Sequence, residues 1–152
     1  MTAAEGVRLA YHHHMGTVVQ SQEDIDTLMD ATGAEVGLLL DTGHAAFAGA
    51  DPAALARRYA SRISHLHAKD VRALVCERAK SENWSSLRAV LEGVFTVPGD
   101  GSIAFERVFR ELRNYSGWEI LEAEQDPRVA DPMAYASLGF RNLRRLLAEQ
   151  MQ

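Results

Sequence analysis

The chain has 152 residues, enough for one domain with a real core, and with 47% hydrophobic and 24% charged residues it has a globular rather than a disordered composition. A net charge of -5 without a basic cluster argues against nucleic-acid binding, because phosphate contacts need a concentrated Lys/Arg surface. The lone Cys76 cannot form an internal disulfide, and neither a signal peptide nor an apolar run of the ~20 residues that span a bilayer is recognisable. We therefore expect a cytoplasmic protein without a membrane partner.

The first predicted strand, residues 7–11, leads directly into three histidines, His12, His13 and His14. Ser21 and Asp24 then form a capping-box pattern, and an apolar stripe at helical spacing follows. The sequence therefore predicts a strand that ends in histidines and is followed by a helix.

The second predicted strand is the Leu-rich run at residues 35–40, which ends at Asp41. A continuous apolar run indicates burial on both faces, as in parallel sheets. The Thr42-Gly43 pair predicts a turn, and His44 follows it. Chemistry in α/β folds lies at the carboxyl ends of strands, so Asp41 and His44 are candidates for function. The alternative is that Asp41 only caps the following turn.

The third predicted strand, residues 63–68, follows a helix that starts at Asp51-Pro52. It carries His67 and ends in Lys69 and Asp70. Residues 71–97 then read as a long inserted loop with one helix, a length typical of lids and site walls.

The last part begins with a tight turn at residues 98–101, after which Ser102 is predicted to cap a helix. The fourth strand, residues 118–124, places Glu122 and Glu124 on one face by alternation. A final helix starts at Asp131-Pro132.

Four strands, each followed by a helix, predict an α/β fold with a parallel sheet and right-handed crossovers. Four such units make either a small open sheet or half of an eight-unit barrel, which takes roughly 250 residues when complete. We expect residues 1–152 to form a single domain.

Each predicted strand ends in side chains that can bind a metal ion. Because neighbouring parallel strands lie about 4.8 Å apart, their ends converge on one small volume. Mixed histidine and carboxylate ligands favour Mn, Co, Zn or Fe over calcium. Lys69 and Asp70 lie next to this volume and could contact a substrate, although a surface ion pair is the alternative. The candidates are His12 or His14, Asp41 with His44, His67, and Glu122 or Glu124.

These residues carry a resemblance to a known superfamily, the xylose-isomerase-like barrels. Its motifs here are Asp41-Thr-Gly-His44, His67-Ala-Lys-Asp70, Pro98-Gly-Asp-Gly101 and Glu122-Ala-Glu-Gln-Asp-Pro127. The chain resembles more narrowly the inosose (2-keto-myo-inositol) dehydratases, through Tyr11-His-His-His-Met-Gly-Thr17, Phe95-Thr-Val-Pro-Gly-Asp-Gly101 and Glu122-Ala-Glu-Gln-Asp126.

The resemblance implies a divalent metal held by four strand-end residues. Asp41, His67 and Glu122 match three of them, and Glu122 is preferred to Glu124 because it follows the apolar run directly. His12 stands where relatives often have Glu, with His14 as the fallback. Mn or Co is the expected metal, with Zn or Fe as the alternatives.

The implied activity is that of a hydro-lyase in inositol catabolism, which removes water from 2-keto-myo-inositol to give a trihydroxycyclohexanedione. His44, Lys69 and Glu124 are the candidate catalytic residues. The candidate substrate contacts are His14, His44, Lys69 and Asp70. A sugar isomerase or epimerase of the same superfamily, and a non-catalytic half barrel that binds metal, are the alternatives.

Only the last four of the eight barrel units of the superfamily are matched, so the resemblance implies a truncated form or fragment, the C-terminal half of a barrel. A half barrel exposes two sheet edges and the flank of its core. We therefore expect the chain to form a homo-oligomer through these edges.

Overall fold

The structure, a computed structural model, describes residues 2–150. None of the helices among them is long and apolar enough to cross a membrane. In chain order the elements are a 3-10 turn (Thr2–Glu5), β1 (Leu9–His12), α1 (Gln22–Ala31), β2 (Val36–Asp41), α2 (Thr42–Phe47), α3 (Pro52–Tyr59), β3 (Ile63–Ala68), β4 (Asp70–Val71), α4 (Ala73–Ser81), α5 (Ser86–Leu91), β5 (Phe95–Thr96), α6 (Phe105–Glu111), β6 (Trp118–Leu121) and α7 (Pro132–Gln150).

The central feature is a four-stranded parallel sheet in the order β1-β2-β3-β6. This confirms the predicted parallel (βα)4 arrangement, half of an eight-stranded barrel. Its register places Asp41 beside His67, so the ends of β2 and β3 are level. The short strands β4 and β5 form a separate antiparallel pair.

The main core lies between the sheet and the helices on its outer face. Leu38, Leu40 and Leu66 point from the strands into this core and are fully buried, where they pack with residues of α1, α3, α6 and α7. Leu39, which alternates with Leu38 and Leu40, is only half-buried. The prediction of burial on both faces is therefore wrong at this residue, because the inner face of a half barrel stays partly open.

A smaller core lies under the segment between β3 and α6. It contains Phe47, Val71, Cys76, Ala79, Ala89, Val94 and Phe95. Cys76 in this core is a free cysteine. The sequence predicts one helix in residues 71–97, whereas the structure has two, α4 and α5, framed by the pair β4 and β5.

Three predicted helix starts are confirmed by their hydrogen bonds. The Ser21 side chain accepts the N–H of Asp24, and the Asp24 carboxylate accepts the N–H of Ser21. Asp51 caps α3 by accepting the N–H of Ala53, and Asp131 accepts the N–H of Ala134 at the start of α7. Each cap satisfies backbone donors that the first helical turn leaves unpaired.

Other local predictions are wrong. Thr42-Gly43 is the first turn of α2 rather than a turn between elements. Ser102 does not cap α6, because its hydroxyl donates to the carbonyl of Val71 and the N-cap is Ala104. β6 ends at Leu121, so both candidate glutamates lie beyond the strand.

Candidate metal centre

Four side chains from the ends of the four strands form one connected cluster. Asp41 Oδ2 lies 3.4 Å from His12 Nε2 and 3.4 Å from His67 Nδ1. His67 Nδ1 in turn lies 2.5 Å from Glu122 Oε2. Because the strands are parallel, their carboxyl ends deliver these side chains from the same edge of the sheet. The four predicted metal ligands therefore form one cluster.

One polar atom from each side chain of this cluster has no hydrogen-bond partner. In the part of the chain that the structure describes, five buried side-chain nitrogen or oxygen atoms lack one. Four of them are His12 Nε2, Asp41 Oδ2, His67 Nδ1 and Glu122 Oε2, and the fifth is His13 Nδ1. Each such atom costs about 1–3 kcal/mol when it stays unpaired. These four atoms follow one another at 2.5–3.4 Å, with Asp41 and His67 in the middle, and a divalent cation among them would use lone pairs that now have no partner.

The electrostatics of the cluster favour a positive charge at its centre. Burial alone would raise the pKa of Asp41, but contacts with His12 and His67 and the charge of Lys69 hold it well below its usual value. Burial alone would lower the pKa of His67, but Asp41 and Glu122 raise it to about 9. The two carboxylates thus attract a proton to His67, and a metal ion would compete for the same position.

Asp41 has two roles, one for each carboxylate oxygen. Its Oδ1 accepts the N–H of His44 at 2.9 Å and so caps α2, while Oδ2 faces the other three side chains of the cluster. The cap and the cluster use different oxygens, so the capping alternative and the metal-ligand prediction are compatible. The strand-to-helix junction fixes the orientation of the carboxylate.

His13 is a residue of the site that the sequence reasoning missed. It is fully buried, and its Nε2 accepts the backbone N–H of Asp41 at 3.2 Å. Burial lowers the pKa of His13 to about 4, so it is neutral and can accept this bond. Strand alternation was the available signal, because it directs His12 and His14 to one face and His13 to the other.

A second group of side chains surrounds the ammonium of Lys69, which is fully buried. Its Nζ donates to Glu124 Oε2 at 2.8 Å and to His44 Nε2 at 2.9 Å. It also lies 3.3 Å from Asp41 Oδ2 and 3.4 Å from Glu122 Oε1, so it connects the two groups. The structure thus brings the three predicted catalytic residues together beside the predicted ligands. We call these three residues, His44, Lys69 and Glu124, the lysine group.

The charges of this second group are fixed by its contacts. Burial opposes ionisation of Lys69, yet Asp41, Glu124 and Glu122 outweigh it and raise the lysine pKa. Burial lowers the pKa of His44. The contacts with His44 and Lys69, including the charge of the Lys69 ammonium, outweigh burial at Glu124 and lower its pKa to about 2. At neutral pH the group therefore contains an ammonium, a neutral imidazole and a carboxylate.

Glu124 reaches this group through an unusual backbone conformation. Its φ is +47°, in the left-handed region that residues other than glycine rarely adopt. This conformation costs of order 1 kcal/mol or more, and such strain persists where the surrounding contacts enforce it. Here the two contacts of the carboxylate with Lys69 and His44 provide that enforcement.

His14 and Asp70, the other two predicted substrate contacts, lie in different surroundings. His14 Nδ1 lies 2.7 Å from the carbonyl of Met15, and its Nε2 faces Glu124 Oε1 at 4.0 Å, next to the lysine group. Asp70 is not part of the cluster. Its two oxygens accept the backbone N–H groups of Val71, Gly99, Gly101 and Ile103. It holds the turn after β5 in place, and no oxygen is left over for a substrate.

A cavity of about 200 Å³ adjoins the lysine group. His14, His44 and Glu124 form its polar side, and Phe95 and residues of α5 form much of the rest. Residues 71–97 therefore form part of the wall of this cavity. The lining residues from this segment are Ser86, Leu87, Val90 and Phe95.

Comparison with known proteins places this geometry in context. The family model described as "Xylose isomerase-like TIM barrel" matches residues 1–146. The rhizopine catabolism protein MocC of Rhizobium meliloti is 52% identical over 145 residues, which are 94% of this chain and 45% of that protein. An inosose dehydratase of Clostridium beijerinckii is 52% identical over 135 residues, 87% of this chain and 45% of the relative. The chain thus spans about half the length of the curated relatives it matches.

Solved structures share the fold at low sequence identity. The probable 3-DHS dehydratase AsbF from Bacillus anthracis matches 93% of this chain and 51% of its own, with a TM-score of 0.70 and 16% identity. The IolI protein, solved with a bound zinc atom, matches 98% of this chain and 52% of its own, with a TM-score of 0.70 and 15% identity.

Proposed function

Because this chain belongs to the xylose isomerase-like TIM-barrel family, and its close relatives include inosose dehydratases, we propose that it is the metal-binding half of such an enzyme. The reaction would remove water from 2-keto-myo-inositol to give a trihydroxycyclohexanedione in inositol catabolism. The main support from the structure is the cluster of four neighbouring ligand atoms that are buried without a hydrogen-bond partner.

The metal would be held by His12, Asp41, His67 and Glu122. Two imidazoles and two carboxylates suit Mn or Co, which we expect, as well as Zn or Fe. When bound, a divalent ion acts as a Lewis acid that stabilises negative charge developing on the ketone oxygen of the substrate. His13 keeps the backbone of Asp41 in position through its bond to the Asp41 N–H.

The lysine group would carry the proton transfers. Dehydration next to a ketone removes a proton from the adjacent carbon and returns one to the departing hydroxyl, which leaves as water. Glu124 is ionised and His44 is a neutral imidazole at neutral pH, and both lie on the cavity, so they are the candidate bases. The Lys69 ammonium is the proton donor within reach. His14, also on the cavity, would contact substrate hydroxyls.

The proposed activity is tested by incubating keto-inositol and Mn²⁺ or Co²⁺ with the chain. One sample contains the chain alone, and another adds the part of the Clostridium beijerinckii relative that this chain does not match. We expect metal to copurify or bind, and dione to form at least in the second sample. Conversion to an isomer without loss of water would indicate an isomerase or epimerase instead. Metal binding without turnover in both samples would support a non-catalytic half barrel.

We also propose that copies of the chain associate through the open edges of the half barrel. Among residues 2–150, β1 and β6 are the outermost strands of the sheet, and each has one side without a strand partner. Apolar side chains are exposed along these edges, namely Val7, Leu9, Trp118 and Ile120. Such edges favour strand pairing with a second copy. Sedimentation as a stable monomer at micromolar concentration would contradict this proposal.

A further inference from the structure

Beside the proposed metal ligands lies a second set of side chains that could hold a cation. His14, His44 and Glu124 each offer one ligand atom, and the three atoms lie within 4.8 Å of one another. His14 Nδ1 lies 2.7 Å from the Met15 carbonyl, so a neutral ring donates there and leaves Nε2 free to act as a ligand. Two imidazoles and a carboxylate are a sufficient set for a transition-metal ion.

A cation already faces this set, and it belongs to the chain. Lys69 Nζ donates to both His44 Nε2 and Glu124 Oε2, so two of the three ligand atoms are engaged. The ammonium also lies 5.0 Å from the centre of the Phe95 ring, within the range of a cation–π contact. Lys69 thus has the contacts that a bound metal ion would otherwise make.

The backbone of α2 leaves room for the lysine to reach this position. A Cβ atom on Gly43 would lie 2.6 Å from Lys69 Cγ and 2.7 Å from Lys69 Cδ. These are atoms of the buried stem rather than of its flexible end, so a side chain at position 43 would displace the lysine. The Thr42 hydroxyl accepts the Lys69 N–H at 3.1 Å and donates to the Lys69 carbonyl at 2.6 Å. Gly43 and Thr42 together therefore fix the direction in which the Lys69 side chain leaves the end of β3.

The charges in the two groups also balance with one metal ion. Three carboxylates, Asp41, Glu122 and Glu124, face one ammonium, which leaves two negative charges for one divalent cation. With the Lys69 ammonium in place, a second divalent ion would raise this buried charge from zero to two positive charges, which is costly without further anions.

We infer that the Lys69 ammonium replaces a second metal ion, so that the chain binds a single divalent cation and its His14–His44–Glu124 set stays free of metal. This inference rests on the proposed metal site at His12, Asp41, His67 and Glu122. In this inference the role of Gly43 is to leave space beside α2 for the Lys69 side chain, because it has no Cβ atom.

The test is the stoichiometry of Mn²⁺ binding, measured by calorimetric titration and by electron paramagnetic resonance. Wild type should bind one Mn²⁺ per chain. Lys69→Met keeps the length of the buried stem without the charge, and its thioether is too soft to bind Mn²⁺. It should bind two Mn²⁺ per chain with the spectrum of a magnetically coupled pair. Adding Glu124→Gln to Lys69→Met should restore one. The matched control is Lys80→Met, which changes the only other lysine, an exposed one, and should bind one.

Each outcome separates the inference from the proposed function on which it rests. Wild type that binds no Mn²⁺ refutes the metal site itself. Wild type that binds two, or Lys69→Met that binds one with wild-type affinity, overturns the inference alone. If Lys69→Met does not fold by circular dichroism, Gly43→Ala replaces it, because it displaces the lysine stem and keeps the lysine. Gly43→Ala should then also bind a second Mn²⁺, and a single ion would overturn the inference.

Discussion

Replacing Asp41 by asparagine separates its two roles. The asparagine oxygen can still accept the N–H of His44, so the cap of α2 is retained. The other oxygen, which faces His12 and His67, becomes an amide NH₂ without charge. Asp41→Asn therefore removes a proposed metal ligand with little change to the helix.

The size of the effect follows from the charge and its burial. Two unit charges 4 Å apart attract each other by about 1 kcal/mol in water and by about 4 kcal/mol at an effective dielectric constant of about 20. A divalent ion doubles these values to about 2 and about 8 kcal/mol. Asp41 is fully buried, so the loss should exceed the lower value. We expect the Kd for Mn²⁺ to rise at least about 30-fold, since 1.4 kcal/mol is about tenfold.

Asp51→Asn is the matched control. Asp51 is also an N-cap, with one oxygen accepting the N–H of Ala53 and the other paired with Arg107, and it is not one of the side chains of the cluster. Both variants keep a capping oxygen and lose one negative charge. Isothermal titration with Mn²⁺ at fixed ionic strength should show a loss of affinity in Asp41→Asn only. Equal affinities in the two folded variants would refute the assigned site.

Three further predictions test other parts of the structure. His13 has a pKa of about 4 in the folded chain and about 6.5 when unfolded, so protonation favours the unfolded state. The free energy of unfolding of chelator-treated protein should therefore fall by up to about 3 kcal/mol as the pH falls from about 6.5 to about 4. In urea titrations over this range, His13→Gln should lose less. In Asp70→Asn only one side-chain oxygen remains to accept the four backbone N–H groups that two oxygens accept in the wild type. Urea unfolding should therefore show a free energy of unfolding lower by about 2–5 kcal/mol. A decrease of less than about 1 kcal/mol would contradict the role of Asp70 in the turn. Trp118→Glu should weaken self-association in analytical ultracentrifugation, whereas Leu74→Glu, at a residue 81% exposed against 74% for Trp118, should not.

The sheet could be predicted from the sequence because its signals are local and strong. The Leu-rich run before Asp41 and the alternation around His67 each indicate a strand within a few residues, and the capping residues Ser21 and Asp51 mark helix starts. Since parallel strands must end at the same edge, strand ends predicted to within three residues were enough to bring the candidate ligands together.

The position of Glu124 could not be predicted in the same way. Alternation places it on one face with Glu122, but the strand ends at Leu121 and a positive φ at Glu124 turns its carboxylate toward Lys69. Glycine or asparagine usually occupies a position with such a backbone conformation, but position 124 is a glutamate. The conformation depends on contacts with residues distant in sequence, so no local pattern records it.

The helix α2 was missed for a related reason. Six residues beginning Thr-Gly-His are too short for a helical stripe, and Asp-Thr-Gly is equally typical of a turn. Its stability comes from tertiary contacts, because a helix of this length is marginal alone. Those contacts are the Asp41 cap and the bonds of Thr42 to Lys69.

The early start of α2 accounts for the arrangement of the whole site. Because the helix begins directly at the end of β2, one oxygen of the Asp41 carboxylate accepts the backbone N–H of His44. The other oxygen remains available to a metal ion. The same turn places Gly43 against the stem of Lys69 and His44 against its ammonium. A longer connection between strand and helix would separate these contacts. The four residues Asp41 to His44 therefore position a metal ligand and a buried cation with a single structural feature, the direct junction of strand and helix.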